Sequence, residues 1–181
     1  MAIEANGSNY SSQIAALTEK VAQLERRLQE QEDIEAVRLL IDHYTALHDL
    51  AFQDPKALQQ WEDLFTEDAH VKYAFGEHFG RKGLGAWAWG PEVSQYEQCH
   101  LQSSNFDISF SKDRQLAYVR SNGITHWLYR RDELDKHFDA GAVYRWAMRR
   151  EPDGKWAIWK IDLYCAWMTG EDRNGVSGTN K

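Results

Sequence analysis

Apolar positions along the chain change their period twice, and each change marks a different element. From Ile14 they fall at Ile14, Leu17, Val21, Leu24 and Leu28, an a/d heptad seam with charged residues between. At little more than two heptads this segment is short for a free coiled coil. It is expected to pack against a partner subunit or its own domain. The preceding residues, 1–12, are polar and rich in Gly, Ser and Asn, which predicts disorder. After Glu30 the phase shifts. Ile34, Val37, Leu40, Ile41, Tyr44, Leu47 and His48 then follow i, i+3, i+4 spacing, a core-facing helical stripe closed by Asp49. Asp54 reads as an N-cap with Pro55 at the first helical position, opening a second helix with Leu58, Trp61, Leu64 and Phe65 on its apolar face.

From Ala69 the period becomes two. Val71, Tyr73 and Phe75 alternate with Lys72 and Ala74, and Gly76 to Gly80 reads as a turn. Residues 82–95, KGLGAWAWGPEVSQ, fit either a short helix or a lid. Four strand-like stretches come next at about 99–110, 115–130, 139–150 and 155–168, separated by charged or Pro-Asp-Gly turns. Helices followed by long antiparallel strands predict an α+β domain with its sheet curled over a helix. The parts are then a disordered 1–12, a heptad helix at 13–32, the domain at 33–168 and a polar tail at 169–181.

Composition narrows the function. Hydrophobic residues make up 43% of the chain and aromatics 13%, with eight tryptophans, which suits a thick core or an aromatic-lined pocket. A formal net charge of −7 with no basic block argues against nucleic acid as a partner. No apolar run approaches a membrane span and no signal-peptide pattern opens the chain, so a cytoplasmic location is expected. Cys99 and Cys165 lack metal-site spacing and read as free thiols. No nucleotide-binding or nucleophile-elbow motif is present, and no metal or other cofactor is expected.

In 99–110 the even positions end Phe106, Ile108 and Phe110, which puts His100, Gln102 and Ser104 on the same inward face. Pairing Phe110 with Leu116 sets His100 directly opposite His126. Asp49 could accept a hydrogen bond from His100 and fix its tautomer, while Tyr73 could donate to a substrate carbonyl. Tyr44 and His48, one turn apart, are placed to reach the same cavity, and Tyr144 and Trp146 contribute an aromatic wall. Asp49, Arg120 and Asp162 are candidates for the water-activating aspartate–arginine–aspartate set that a likeness to epoxide hydrolases would require.

The stretches DIEAVRLLIDHYTALHD, WEDLFTEDAHVKY, QCHLQSSNFDI and YRWAMRREPDGKWAIWKID resemble the SnoaL-like family of the nuclear-transport-factor-2-like superfamily. The resemblance covers about residues 33–168 and implies a cone-shaped curved antiparallel sheet wrapped around N-terminal helices, here with an extra heptad helix. It also implies a dimer or trimer. Among such proteins the scytalone dehydratases carry a tyrosine–aspartate pair where this chain has His48-Asp49. Their first-strand tyrosine matches Tyr73, and their two histidines match His100 and His126. Their serine and asparagine on the penultimate strand fall near Ala142 and Tyr144, so those substrate contacts are absent. A bile-acid-dehydratase-like pattern fits Tyr44, Asp49 and His100.

These likenesses imply a cofactor-independent lyase or isomerase (dehydratase, cyclase or double-bond isomerase). Its substrate would be an aromatic or polycyclic hydroxy-ketone, polyketide- or terpenoid-like, of secondary metabolism. His100 would be the base, with Tyr73 and His126 polarising the carbonyl or protonating the leaving group. The competing reading is a non-catalytic binding or dimerisation module of the same fold.

Overall fold

The computed structural model describes residues 2–171, with side chains from residue 10 onward. Contacts divide the chain between Ala36 and Val37 into two compact units. Helix α1 (Ala2–Ala51) begins in the first. Helical backbone therefore replaces the expected disorder at residues 2–12, and no break occurs near residue 32. The unbroken passage past residue 32 follows from the absence of proline or glycine between Ser8 and Ala51. Residues 10–32 are exposed apart from the half-buried Ala22.

In the second unit, the last turns of α1 bury Val37, Leu40, Ile41, Tyr44 and His48, the stripe that the spacing predicts. The helix stops before Pro55, whose ring forces the preceding Asp54 into extended backbone at φ −129°. Asp54 caps α2 (Pro55–Glu62) by accepting from the Lys56 amide at 3.0 Å. That helix ends at Glu62, three residues earlier than its apolar pattern suggests. Leu64 and Phe65 leave it, and the Ile158 amide donates to the Leu64 carbonyl at 2.8 Å. Strand β1 (Phe65–Tyr73) thus starts ahead of Ala69.

The expected turn at Gly76–Gly80 is instead strand β2 (Gly76–Phe79), joined to β1 by a tight turn at Ala74-Phe75. The glycines serve the connection to the next helix. Gly80 and Gly83 take positive φ at the exit of β2 and the entry of α3 (Leu84–Val93). Residues 82–95 are accordingly mostly helix. Leu84, Gly85, Ala88, Trp89 and Glu92 make its buried face, and the Gly85 amide donates to Glu62 Oε1 at 2.6 Å.

Strands β3 (Gln98–Phe110), β4 (Leu116–Leu128), β5 (His137–Arg150) and β6 (Trp156–Thr169) lie close to their expected bounds. The sheet order is β2-β1-β6-β5-β4-β3, antiparallel except where β1 runs parallel to β6. Of the polar tail expected over 169–181, residues 172–181 lie outside the described residues. Among the described residues no helix is long and apolar enough to cross a membrane.

One irregularity decides which side chains face inward. Phe110 pairs with Ala117, one residue off the expected Leu116, yet His100 still pairs with His126. A bulge between Ser104 and Asp107 absorbs the difference, with Asn105 in the left-handed region at φ 57°. The extra residue also switches the strand's faces. Phe106, Ile108 and Phe110 are the better-buried side chains beyond it, whereas Cys99 and Leu101 are buried before it. His100, Gln102 and Ser104 are exposed, which corrects the inward placement inferred from continuous alternation.

Candidate active site

A largely enclosed cavity lies in the second unit between the end of α1, α3 and one face of the sheet. Its empty space, with the open mouth included, is about 530 Å³. Much of the wall is apolar, from Phe75, Trp127, Ala140, Ala142 and Leu163. Most of the polar wall comes from four separated pieces of chain. Helix α1 supplies Tyr44 and His48 one turn apart, β1 supplies Tyr73, α3 supplies Glu92, and β5 supplies Tyr144.

Two pairs organise this wall. The Tyr44 and Tyr73 hydroxyls are 2.5 Å apart, so one donates to the other and one proton is left for a ligand. Burial, reinforced at Tyr44 by its phenolic neighbours and opposed at Tyr73 by Tyr44 and His48, raises both above the ordinary tyrosine value, so both stay neutral donors. The second pair is His48 and Glu92, with Nε2 and Oε2 3.3 Å apart and both side chains under a tenth exposed. Trp127 Nε1 donates to the same Glu92 oxygen at 2.9 Å.

Burial works against charge on His48, but Cys99, Glu92 and Asp49 outweigh it, and its pKa is raised well above 6.5. Burial pushes the Cys99 thiol up to about 12, so near neutrality the carboxylates supply the attraction. The balance favours the protonated imidazole at His48, beside Glu92. His48, Glu92 and Cys99 also bring one donor atom each within 4.8 Å of one another, the set that could hold a metal ion. Its thiol is protonated near neutrality and would have to lose that proton to coordinate.

Asp49 sits behind the cavity wall. Its Oδ1 accepts from the Leu101 amide at 2.9 Å and lies 3.5 Å from His48 Nδ1, too long for a hydrogen bond. Its Oδ2 is 3.1 Å from His100 Nδ1, the pairing expected from the sequence. The Gln102 amide is 3.0 Å from His100 Nε2, which fits a tautomer with the proton on Nδ1.

His100 and His126 stack with ring centroids 6.4 Å apart, but on the sheet face away from the cavity. Thr125 and Trp127, which flank His126, line the cavity, so His126 points the other way. The His100 side chain is 57% exposed, and His126 turns to Asp139 Oδ1 at 2.9 Å. His100, His126 and Gln102 thus do not share the hollow with Tyr73: the bulge at Asn105 switches the faces of β3, and His126 falls on the outward side of the unbroken alternation of β4, which buries its odd positions. Trp146 is also displaced from its expected role. Its Nε1 donates to Ser121 Oγ at 3.0 Å and its ring stacks on Tyr144, so it buttresses the wall from the core.

Tyr44, His48, Tyr73 and Tyr144 do converge as the sequence implies. The alternative set of Asp49, Arg120 and Asp162 does not. Arg120 is exposed and pairs across β3 and β4 with Asp107 beyond the bulge, while exposed Asp162 lies 3.9 Å from Arg145. Glu92 was missed by sequence reasoning. Its signal was a single acid on the otherwise apolar run Leu84–Val93, at i+3 and i+7 from Trp89 and Gly85.

The family model for a SnoaL-like domain matches residues 29–162. A search of curated proteins finds no match. Among solved structures, a provisionally assigned scytalone dehydratase from Novosphingobium aromaticivorans is similar, with a TM-score of 0.66 and 21% identity over 78% of this chain and 89% of that one. A hexachlorocyclohexane dehydrochlorinase, LinA type 3, from Novosphingobium barchaimii gives a TM-score of 0.57 and 17% identity, covering 77% and 92%. ActVI-ORFA from Streptomyces coelicolor gives 0.60 and 12%, covering 74% and 97%. At these identities the structures speak for the fold. Together with the domain match over most of the chain, they place it: the chain belongs to the SnoaL-like domain family.

Proposed function

We propose that this protein is a cofactor-independent acid–base lyase or isomerase acting on a cyclic hydroxy-ketone bound in the cavity. The observation that carries the reading is the pair of opposed couples, Tyr44–Tyr73 and His48–Glu92, on one wall of an otherwise largely apolar pocket. Neutral phenols suit a ketone oxygen, because they donate to it more strongly as it becomes an enolate. Glu92 removes the proton α to the carbonyl, and its electron pair passes into the enolate. Collapse of that enolate expels the β-hydroxyl, which leaves as water with the His48 proton. Glu92 then returns its proton to His48 across 3.3 Å, restoring the resting pair. For double-bond migration the same proton is delivered back to a different carbon.

In this account His100 is not the base. It is a positioning residue, because Asp49, held by His100 and the Leu101 amide, is the carboxylate behind His48 Nδ1. The activities for which two structural neighbours are named, scytalone dehydration and dehydrochlorination, both remove a proton and a leaving group, which agrees with the proposal.

The test is a panel of cyclic β-hydroxy-ketones and phenolic ketones, followed by tryptophan quenching and product analysis. Conversion that falls in Glu92→Gln while binding persists supports the reading. Binding without conversion in the wild type favours the non-catalytic module instead.

A further inference from the structure

In a single copy the seam of the first unit is open to water. Tyr10, Ile14, Leu17, Val21, Leu24 and Leu28 are each between 53% and 64% exposed. They follow steps of four and three without a break, so they form one stripe along α1 with Ile14, Val21 and Leu28 at a positions and Tyr10, Leu17 and Leu24 at d. A row of exposed large apolar residues on an otherwise polar helix marks an association surface. We propose that the stripe is covered by the same stripe of a second copy of this chain, as a parallel, in-register, two-stranded coiled coil.

Three features select that occupant. β-Branched Ile14 and Val21 at a, with Leu17 and Leu24 at d, are the combination that favours two parallel strands over higher oligomers. The flanking charges are the second. Lys20 and Arg27 occupy g positions, and Glu25 and Glu32 occupy e. In a parallel register each g side chain lies beside the e side chain of the next heptad on the other copy. Lys20 then meets Glu25 of the second copy and Arg27 meets its Glu32, four opposite-charge contacts by symmetry. In an antiparallel pair g faces g and e faces e, so the same charges oppose one another. The third is continuity: no glycine or proline interrupts the helix along the seam.

The experiment measures the mass of the full-length chain by sedimentation, alone and as charge variants. The wild type is expected to be a dimer. Lys20→Glu/Arg27→Glu places acid beside acid, and Glu25→Lys/Glu32→Lys places base beside base. Each is expected to weaken self-association at least tenfold, and an equimolar mixture is expected to pair as heterodimers. Oxidised Leu24→Cys is expected to cross-link to itself, and Leu17→Cys chains are not expected to cross-link to Val21→Cys chains. A monomeric or trimeric wild type, charge variants with unchanged association, or preferential cross-linking of Leu17→Cys to Val21→Cys would overturn the proposal. None of these substitutions touches the cavity, so the outcome is independent of the proposed chemistry.

Discussion

His48 Nε2 lies 3.3 Å from Glu92 Oε2, a charge pair joining α1 to α3 inside a largely apolar wall. A buried pair of this kind is a weak source of stability, because desolvation offsets most of the Coulomb gain, whereas loss of one partner strands the other. Its more consistent use is chemical, as an acid and a base whose protons can interchange.

Glu92→Gln keeps the shape of the wall and can keep a hydrogen bond from Trp127, but removes the base. Turnover is expected to fall by about 10²–10⁴ with ligand quenching of tryptophan fluorescence retained. Steady-state kinetics beside a quenching titration checks both halves.

Tyr73→Phe removes the hydroxyl paired with Tyr44. If the phenols hold the enolate oxygen, kcat is expected to drop by about 10²–10³, as for loss of one oxyanion donor. A change confined to KM would assign the pair to ground-state binding alone.

The raised pKa of His48 fixes a sign for stability. Its imidazolium is favoured in the folded state, so the contribution is fully present below 6.5 and is lost as pH rises through the folded value. The buried Cys99 thiol acts in the same sense further up, from about 9 towards 12. Urea unfolding in pH steps should therefore show stability declining on the alkaline side. His48→Gln should flatten the part of that slope just above 6.5 and leave the higher part in place.

Gly123 supports the wall from behind. A Cβ there would lie 2.5 Å from the Tyr144 ring, which cannot stay stacked on Trp146 unless the strand moves. Gly123→Ala is expected to cost about 1–3 kcal/mol and to weaken ligand binding. Chemical denaturation and a binding titration read the two effects separately.

Much of this fold was legible because it is written in periodicity. The stripe Val37–His48, the Asp54-Pro55 helix start and the four long strands follow from spacing alone. The site was legible only where local pattern determines direction. Tyr44 and His48 share a helical face wherever the helix packs, so their convergence was readable. The facing of His100 was not, because one residue in left-handed backbone at Asn105 switches it, and the only hint was an asparagine, a residue that tolerates that backbone but does not require it. The same bulge restored the His100–His126 pairing that an off-by-one turn would have destroyed. Glu92 was hidden for another reason: its helix carries apolar residues on nearly every side, and no periodic contrast marks which side is buried.

The most direct test sets two substitutions against each other on one converted substrate. Glu92→Gln is expected to remove at least about 10² of kcat/KM, while His100→Ala, outside the cavity, is expected to cost less than about tenfold. Full turnover in Glu92→Gln together with inactivity in His100→Ala would contradict the account and return the base to the exposed face of the sheet.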